Sequence, residues 1–215
     1  PPEFEGVWEW KNNQKPVFKK IIGASLINSI DIGPNGEIII VRRTREIRIR
    51  ESGEWKSYTS LISQIKNPKN VFISLNGNVW IGSENGLFLY RRHKKHWTFV
   101  EHTPSEKRNM VNDILIRSDS SIWLATADGI VVYKPNGDTM GISEIGEQKL
   151  SRVTGIAEDR DNNIWIGSGS TFSGTYFWNG EKWKSRSIGK IPSETFVHKI
   201  KKDFKNNLWF LCLSK

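Results

Sequence analysis

Few side chains in this sequence are spaced for chemistry. His93 and His96 stand three apart in Arg91-Arg-His-Lys-Lys-His96. A metal-binding histidine pair wants carboxylate or thiolate neighbours, and only cations flank these two, so the segment reads as a surface turn. Asp159 and Asp161 form the most suggestive carboxylate pair. In a turn, such carboxylates bond the backbone amides that follow them, and that reading is preferred to Ca²⁺ binding. His102 and His198 are the remaining histidines, with no acid partner evident in the sequence. Cys212 is the single cysteine, flanked by Leu211 and Leu213, which predicts a small buried hydrophobe on a strand. There is no phosphate-cradling Gly-rich Lys loop, no His-Glu-x-x-His and no Gly-x-Ser-x-Gly. No catalytic residue, metal ligand or cofactor is therefore assigned.

The remaining chemical resource is charge. Lys plus Arg number 32 against 23 Asp plus Glu, a formal net charge of +9. That balance suits anionic partners such as acidic glycans, nucleic acid or an anionic surface, or simply keeps a protein in solution. With 37% hydrophobic and 26% charged residues, the 215-residue chain is globular and long enough to bury a core without staples. Its apolar runs are strand-sized, so no transmembrane helix is expected. The chain begins at Pro1 with no leader, which reads as a processed product or a fragment.

The elements that must carry these residues are set by a repeat. Four segments align: Asn76-Gly-Asn-Val-Trp80-Ile-Gly-Ser-Glu-Asn-Gly86, Ser121-Ile-Trp123-Leu-Ala-Thr-Ala-Asp-Gly129, Asn162-Asn-Ile-Trp165-Ile-Gly-Ser168 and Asn206-Asn-Leu-Trp209-Phe. A fifth, Asn35-Gly-Glu-Ile-Ile39, puts Ile39 in the Trp slot. The anchors 39, 80, 123, 165 and 209 recur at steps of 41, 43, 42 and 44. A second register, Trp55, Trp97, Met140 and Trp183, recurs at 42, 43 and 43. Each unit alternates strand-like runs with Asn-Gly, Asp-Gly or Pro-Asn-Gly turns, and no helical period is sustained. Four short antiparallel strands per unit of about 42 residues describe a propeller blade.

The predicted fold is therefore all-β, a propeller of four-stranded antiparallel blades. It comprises a half blade over 1–22, blades over 23–62, 63–104, 105–147 and 148–191, and a half blade over 192–215. This reads as part of a larger ring, and the alternative is a five-bladed ring closed by exchange of the two halves, which would hide the sheet edges. Ile39, Trp80, Trp123, Trp165 and Trp209 are expected between blades, where large side chains fill the gap. Because the Trp residues follow the blade period, they read as core and not as a base-stacking platform, so no nucleic acid is expected.

A propeller ligand is expected at the edge formed by the second-to-third-strand turns and the blade-to-blade connections. Those segments hold Arg43, Arg45, Glu84, Asn85, Lys107, Arg108, Asp128, Lys149, Arg152 and Thr171. A ring of Arg and Lys there would suit carboxylate or sulfate groups, because the guanidinium fork matches such oxyanions. Arg48 and Arg50 alternate with Ile47 and Ile49, so they point out of one blade face.

Asp159-Arg-Asp-Asn-Asn-Ile-Trp165-Ile-Gly-Ser and Gly77-Asn-Val-Trp-Ile-Gly-Ser-Glu-Asn-Gly-Leu-Phe-Leu-Tyr90 resemble the two-component regulator propeller repeat. Ile39 departs from it, Asn163 and Ser121 stand for its turn Gly, and Gly169 to Gly174 lengthen one connection. The resemblance implies the seven-bladed periplasmic or extracellular sensor region of hybrid histidine kinases, often followed by an immunoglobulin-like domain and a membrane helix. It implies a non-catalytic ligand sensor for an acidic or other oligosaccharide or for an adjacent domain, working as a homodimer of the parent chain. Two other readings remain: a complete five-bladed lectin-like or interaction scaffold, and a propeller lyase of the streptogramin type. The last would need a catalytic His and metal-binding acids in the funnel, with His102 and His198 the candidates. Ser118-Asp-Ser-Ser121 resembles a sialidase Asp-box turn but lacks its Gly and Thr.

Overall fold

The computed structural model describes residues 6–11, 17–22, 26–58, 64–100, 109–188 and 195–214. A two-stranded sheet comes first, β1 (Val7–Lys11) and β2 (Val17–Ile22). Blade 1 follows as β3 (Ile27–Ile32), β4 (Ile38–Arg42), β5 (Ile47–Glu51) and β6 (Glu54–Ser57). Blade 2 is β7 (Asn70–Ile73), β8 (Val79–Gly82), β9 (Leu87–Arg91) and β10 (His96–Val100). Blade 3 is β11 (Val111–Ile116), β12 (Ile122–Thr126), β13 (Gly129–Tyr133) and β14 (Thr139–Ile142). A small ladder of β15 (Glu144–Ile145) and β16 (Gln148–Lys149) leads to blade 4. That blade is β17 (Val153–Glu158), β18 (Ile164–Ser168), β19 (Thr175–Trp178) and β20 (Trp183–Arg186). A final pair, β21 (Thr195–Lys202) and β22 (Leu208–Ser214), ends the described chain. Each blade is an antiparallel meander in sequence order, and β1 and β22 lie in separate sheets.

The turn chemistry explains the repeat. Between the first and second strands, Gly36, Gly77, Ser120, Asn162 and Asn206 all have φ between 64° and 77°. That left-handed backbone is easy for Gly and tolerable for Asn. The residues standing for the turn Gly are thus Ser120 and Asn162, one place before the expected Ser121 and Asn163. A second glycine recurs before the third strand. A Cβ on Gly129 (φ 104°) would lie 2.2 Å from the Ile142 carbonyl oxygen, and one on Gly174 (φ 72°) 2.5 Å from that of Arg186. The blade's outermost strand closes onto these positions, so only hydrogen fits. Gly129→Ala is expected to cost about 2–3 kcal/mol, read as a lower thermal midpoint; an unchanged midpoint would contradict the packing.

The core lies between blades. Ile39, Val41, Ile47 and Ile49 of blade 1 pack on Val71, Ile73, Val79 and Ile81 of blade 2. Trp123, Ile130 and Val132 of blade 3 meet Ile156, Ile164 and Ile166 of blade 4 in the same way. Each fully buried aliphatic side chain contributes on the order of 2 kcal/mol. Ile39 and Trp123 are buried as expected, at 0% and 7% exposure. Trp80 and Trp165 are half-buried, and Trp165 stacks on Phe177 while its ring meets Phe210 on β22 edge-on. Trp209 corrects the expectation: it is 65% exposed, because no further described sheet covers that face of β22. Cys212 is likewise exposed and not a buried hydrophobe.

The second Trp register also needs correcting. Trp97 pairs with Tyr90, Trp183 with Trp178 and Trp55 with Arg50, but Tyr133 pairs with Thr139. Thr139, not Met140, fills the slot in blade 3, and Met140 faces the opposite way.

Candidate functional site

The first strands of blades 1, 3 and 4, and β21, each carry a polar residue at a kink. Register shifts fall between Ile27 and Ser29, Val111 and Asp113, Val153 and Gly155, and Val197 and Lys199. The displaced residues are Asn28, Asn112, Thr154 and His198, whereas Asn70 of blade 2 stays in the ladder opposite Gly82. The side chains of Asn28, Asn70, Asn112 and Thr154 bond the next sheet's backbone. Asn28 Nδ2 donates to the Pro68 carbonyl at 2.6 Å, Asn70 Nδ2 to that of Asn112, and Asn112 Nδ2 to that of Val153 at 2.8 Å. Sequence reasoning missed this belt, although Asn28, Asn70 and Asn112 recur at steps of 42.

Lys199 joins non-adjacent parts of the structure. From β21 its Nζ reaches Asp113 Oδ1 of blade 3 at 3.0 Å and Asn70 Oδ1 of blade 2 at 2.9 Å. Asp113 Oδ2 in turn accepts the Ile156 amide of blade 4 at 3.3 Å. Burial lowers the Lys199 pKa, opposed by the Asp113 carboxylate. Burial also raises Asp31, against hydrogen bonds from the Ile73 and Ile32 amides.

The edge where a ligand was expected is knit by backbone bonds. The Arg43 amide donates to the Leu26 carbonyl, that of Glu84 to Lys66 and that of Arg152 to Ala127, each at 2.9 Å. Several of the expected binding residues are committed to this framework. Asn85 Oδ1 accepts the Lys66 amide at 2.8 Å and its Nδ2 donates to the Gln64 carbonyl at 2.9 Å. Glu84 Oε1 accepts from Asn67 at 2.7 Å. The Thr171 amide donates to Ser168 Oγ at 2.9 Å. Asp128 is half-buried beside Thr126, whose Oγ1 accepts its amide at 3.2 Å. Lys107 and Arg108 lie outside the described residues. What remains for a ligand is cationic: the exposed side chains of Arg43, Arg45, Lys149 and Arg152 make no hydrogen bond or ion pair among the described residues. Arg48 instead pairs with Glu46, which Arg42 also holds. Burial alone would raise Glu46, but the two guanidiniums outweigh it and hold it low.

The opposite edge, made by first-to-second and third-to-fourth strand turns, consumes its acids internally. Asp159 Oδ1 accepts the amides of Asp161 and Asn163, each at 2.9 Å, and Oδ2 accepts Asn163 Nδ2 at 2.8 Å and Trp165 Nε1 at 2.7 Å. Asp203 repeats this with Lys205, Asn207 and Trp209. Hydrogen bonds from Trp209 and Asn207 hold Asp203 down at about 2. Arg92 ties Glu37 and Glu51 together across blades 1 and 2. Arg117 Nε donates to Glu158 at 2.7 Å between blades 3 and 4.

His93 lies in a 3-10 turn (Arg92–Lys94) and His96 opens β10, both exposed. His198 is exposed on β21, and His102 lies outside the described residues. Among the described residues, no group of three His, Cys, Asp or Glu side chains is placed to hold a metal ion. None of the described helices is long and apolar enough to cross a membrane.

Residues 148–170 match the family model described as two component regulator propeller, so the chain carries that repeat. No curated protein sequence matches it significantly. Among solved structures, a virginiamycin B lyase from Staphylococcus aureus superposes with a TM-score of 0.74 at 17% identity, covering 92% of this chain and 68% of that one. The extracellular domain of BT3049 from B. thetaiotaomicron, assigned to a hybrid two component system, gives 0.68 at 18%, covering 95% and 27%. XC5397 from Xanthomonas campestris, a gluconolactonase, gives 0.67 at 11%, covering 96% and 75%. At these identities the likeness establishes the propeller fold alone. The chain spans about two thirds of the lyase and about a quarter of the BT3049 domain.

Proposed function

We propose that this chain, which carries the two-component regulator propeller repeat, is a non-catalytic, extracytoplasmic ligand-sensing propeller of a two-component signalling protein. Its ligand is an oxyanion-bearing glycan or an adjacent domain, taken at the connection edge. The supporting observation is the set of exposed, unpaired guanidiniums at the connection edge. At the turn edge, Asp159, Asp203, Glu37 and Glu158 are engaged in turns and ion pairs. At the connection edge, Arg43, Arg45 and Arg152 present guanidiniums with no partner among the described residues, from backbone fixed by hydrogen bonds. A fork held this way meets a sulfate or uronate with little ordering cost. Binding that favours one arrangement of the parent chain over another would shift a kinase equilibrium by that difference in affinity. The repeat match and the extracellular B. thetaiotaomicron neighbours support this reading over a free-standing lectin-like scaffold. The lyase reading would rest on His198, which makes no hydrogen bond or ion pair to a described acid.

The test is charge reversal. The triple variant Arg43→Glu, Arg45→Glu, Arg152→Glu is expected to lose at least about tenfold in affinity for a sulfated or uronate oligosaccharide. Its thermal midpoint should hardly move, since the side chains are exposed. Unchanged binding by calorimetry would remove the connection edge from consideration.

A further inference from the structure

Between blades 3 and 4, on the turn edge, lies a cleft of about 720 Å³. One wall is the cross-strand row Trp123, Val132 and Met140, and the other carries Trp178 and Trp183, whose rings lie 5.7 Å apart. We infer that this cleft binds an aromatic carboxylate, with the ring between the Trp123 wall and the Trp178–Trp183 wall and the carboxylate at the mouth.

One register position differs between this gap and the one between blades 1 and 2. In blade 1 the Tyr58 amide pairs with Ile47, and its ring sits 5.5 Å from Tyr90, sealing the corresponding gap to blade 2. In blade 3 the residue in that register is Ile142, paired with Ile130. Ile142 lacks the ring, and the missing volume is open.

The cleft also holds an indole donor without an acceptor among the described residues. Trp165 and Trp209 give their indole N–H to Asp159 and Asp203, six residues earlier. Six residues before Trp123 stands Arg117, which turns away to Glu158 and Asp119. Trp123 is only 7% exposed, lines the cleft, and its N–H donates to no atom among the described residues. That N–H is open to the cleft, where a ligand carboxylate oxygen can accept it. At the mouth, Lys134 is exposed and its ammonium has no described partner, while Asp119 is occupied by Arg117 and Ser121. The site therefore offers apolar aromatic walls, an unpartnered indole donor and an exposed cation, the last two for the carboxylate. A saccharide, with hydroxyls all round, would leave most of them unpaired against these walls.

The probe is indole-3-acetate, titrated calorimetrically into the 215-residue chain, with indole-3-acetamide as the neutral comparison. Binding of the acetate is expected, with Lys134→Ala weakening it about tenfold and leaving the acetamide unchanged. Ile142→Tyr, which copies Tyr58, is expected to abolish binding without lowering the thermal midpoint. The charge-reversed connection-edge variant should bind indole-3-acetate normally, so this site and the glycan reading fail separately. No heat at millimolar probe overturns the proposal, as does equal binding by Ile142→Tyr. Acetate binding indifferent to Lys134 overturns the carboxylate assignment, and a uronate oligosaccharide lost on Ile142→Tyr overturns the ligand class.

Discussion

Asp113→Ala is expected to destabilise the chain by about 3 kcal/mol or more, the largest loss from any single polar substitution considered. Asp113 is 3% exposed and holds the Lys199 ammonium at 3.0 Å. Removing it leaves a largely buried cation facing only Asn70. It also strips the acceptor from the Ile156 amide. For a chain of this size, that loss corresponds to a fall of roughly 6–12 °C in thermal midpoint. Much of it should return in the double variant Asp113→Ala, Lys199→Met, which removes the stranded charge. The remainder is the unpaired Ile156 amide. A double variant no more stable than Asp113→Ala would show that the ion pair is not what the site depends on.

The second large effect is at Asp159. Its carboxylate accepts four hydrogen bonds, two from backbone amides, one from Asn163 and one from the Trp165 indole. Asp159→Ala is expected to cost about 2–3 kcal/mol, because it frees a turn and orphans an indole packed between Phe177 and Phe210. The same group sets an acid limit. Burial would raise its pKa, but the hydrogen bonds from Trp165, Asn163 and the backbone prevail and hold it below an ordinary aspartate. The folded state thus keeps Asp159 ionised more readily than the unfolded chain does. Its contribution is complete above about pH 4, the unfolded aspartate value, and is lost as pH falls through the lower folded value. Asp119 and Glu37 are shifted in the same sense. Asp31, raised by burial, acts oppositely, its contribution falling as pH rises through the acid range. Urea melts between pH 5 and 2.5 should show a shallower pH slope for Asp159→Asn than for the unmodified chain; parallel slopes would contradict the assignment.

Much of the fold was legible because blade packing and turn backbone are local demands repeated about every 42 residues. Ile39 and Trp123 are interior for the reason their spacing suggested. Counting by period failed where hairpins differ in length. From Tyr90 to its partner Trp97 is seven residues, from Tyr133 to Thr139 six, and from Trp178 to Trp183 five. A fixed step therefore landed on Met140. Trp209 was misplaced because a repeat specifies a residue type, while burial depends on whether another sheet lies against it. The cationic edge could be read from Arg43, Arg45 and Arg152, but not that Asn85 and Glu84 are committed to holding the backbone. The Lys199 contacts were invisible, since Asn70 lies 129 residues away and only the curvature of the whole array brings them together. The aromatic cleft was hidden in a difference between repeats, Tyr58 against Ile142, where the eye follows what is shared.

The kinks in the first strands of blades 1, 3 and 4 and in β21 bear on how such a protein can vary. A residue squeezed out of ladder register contributes no rung to the sheet, so its identity is decoupled from strand pairing. The four places filled by Asn28, Asn112, Thr154 and His198 behave like type slots in a fixed frame. An amide, hydroxyl or imidazole can be set in each without recutting the blade. A lineage of these arrays could rewrite the inner surface one letter at a time, while the tryptophans and glycines outside it stay still.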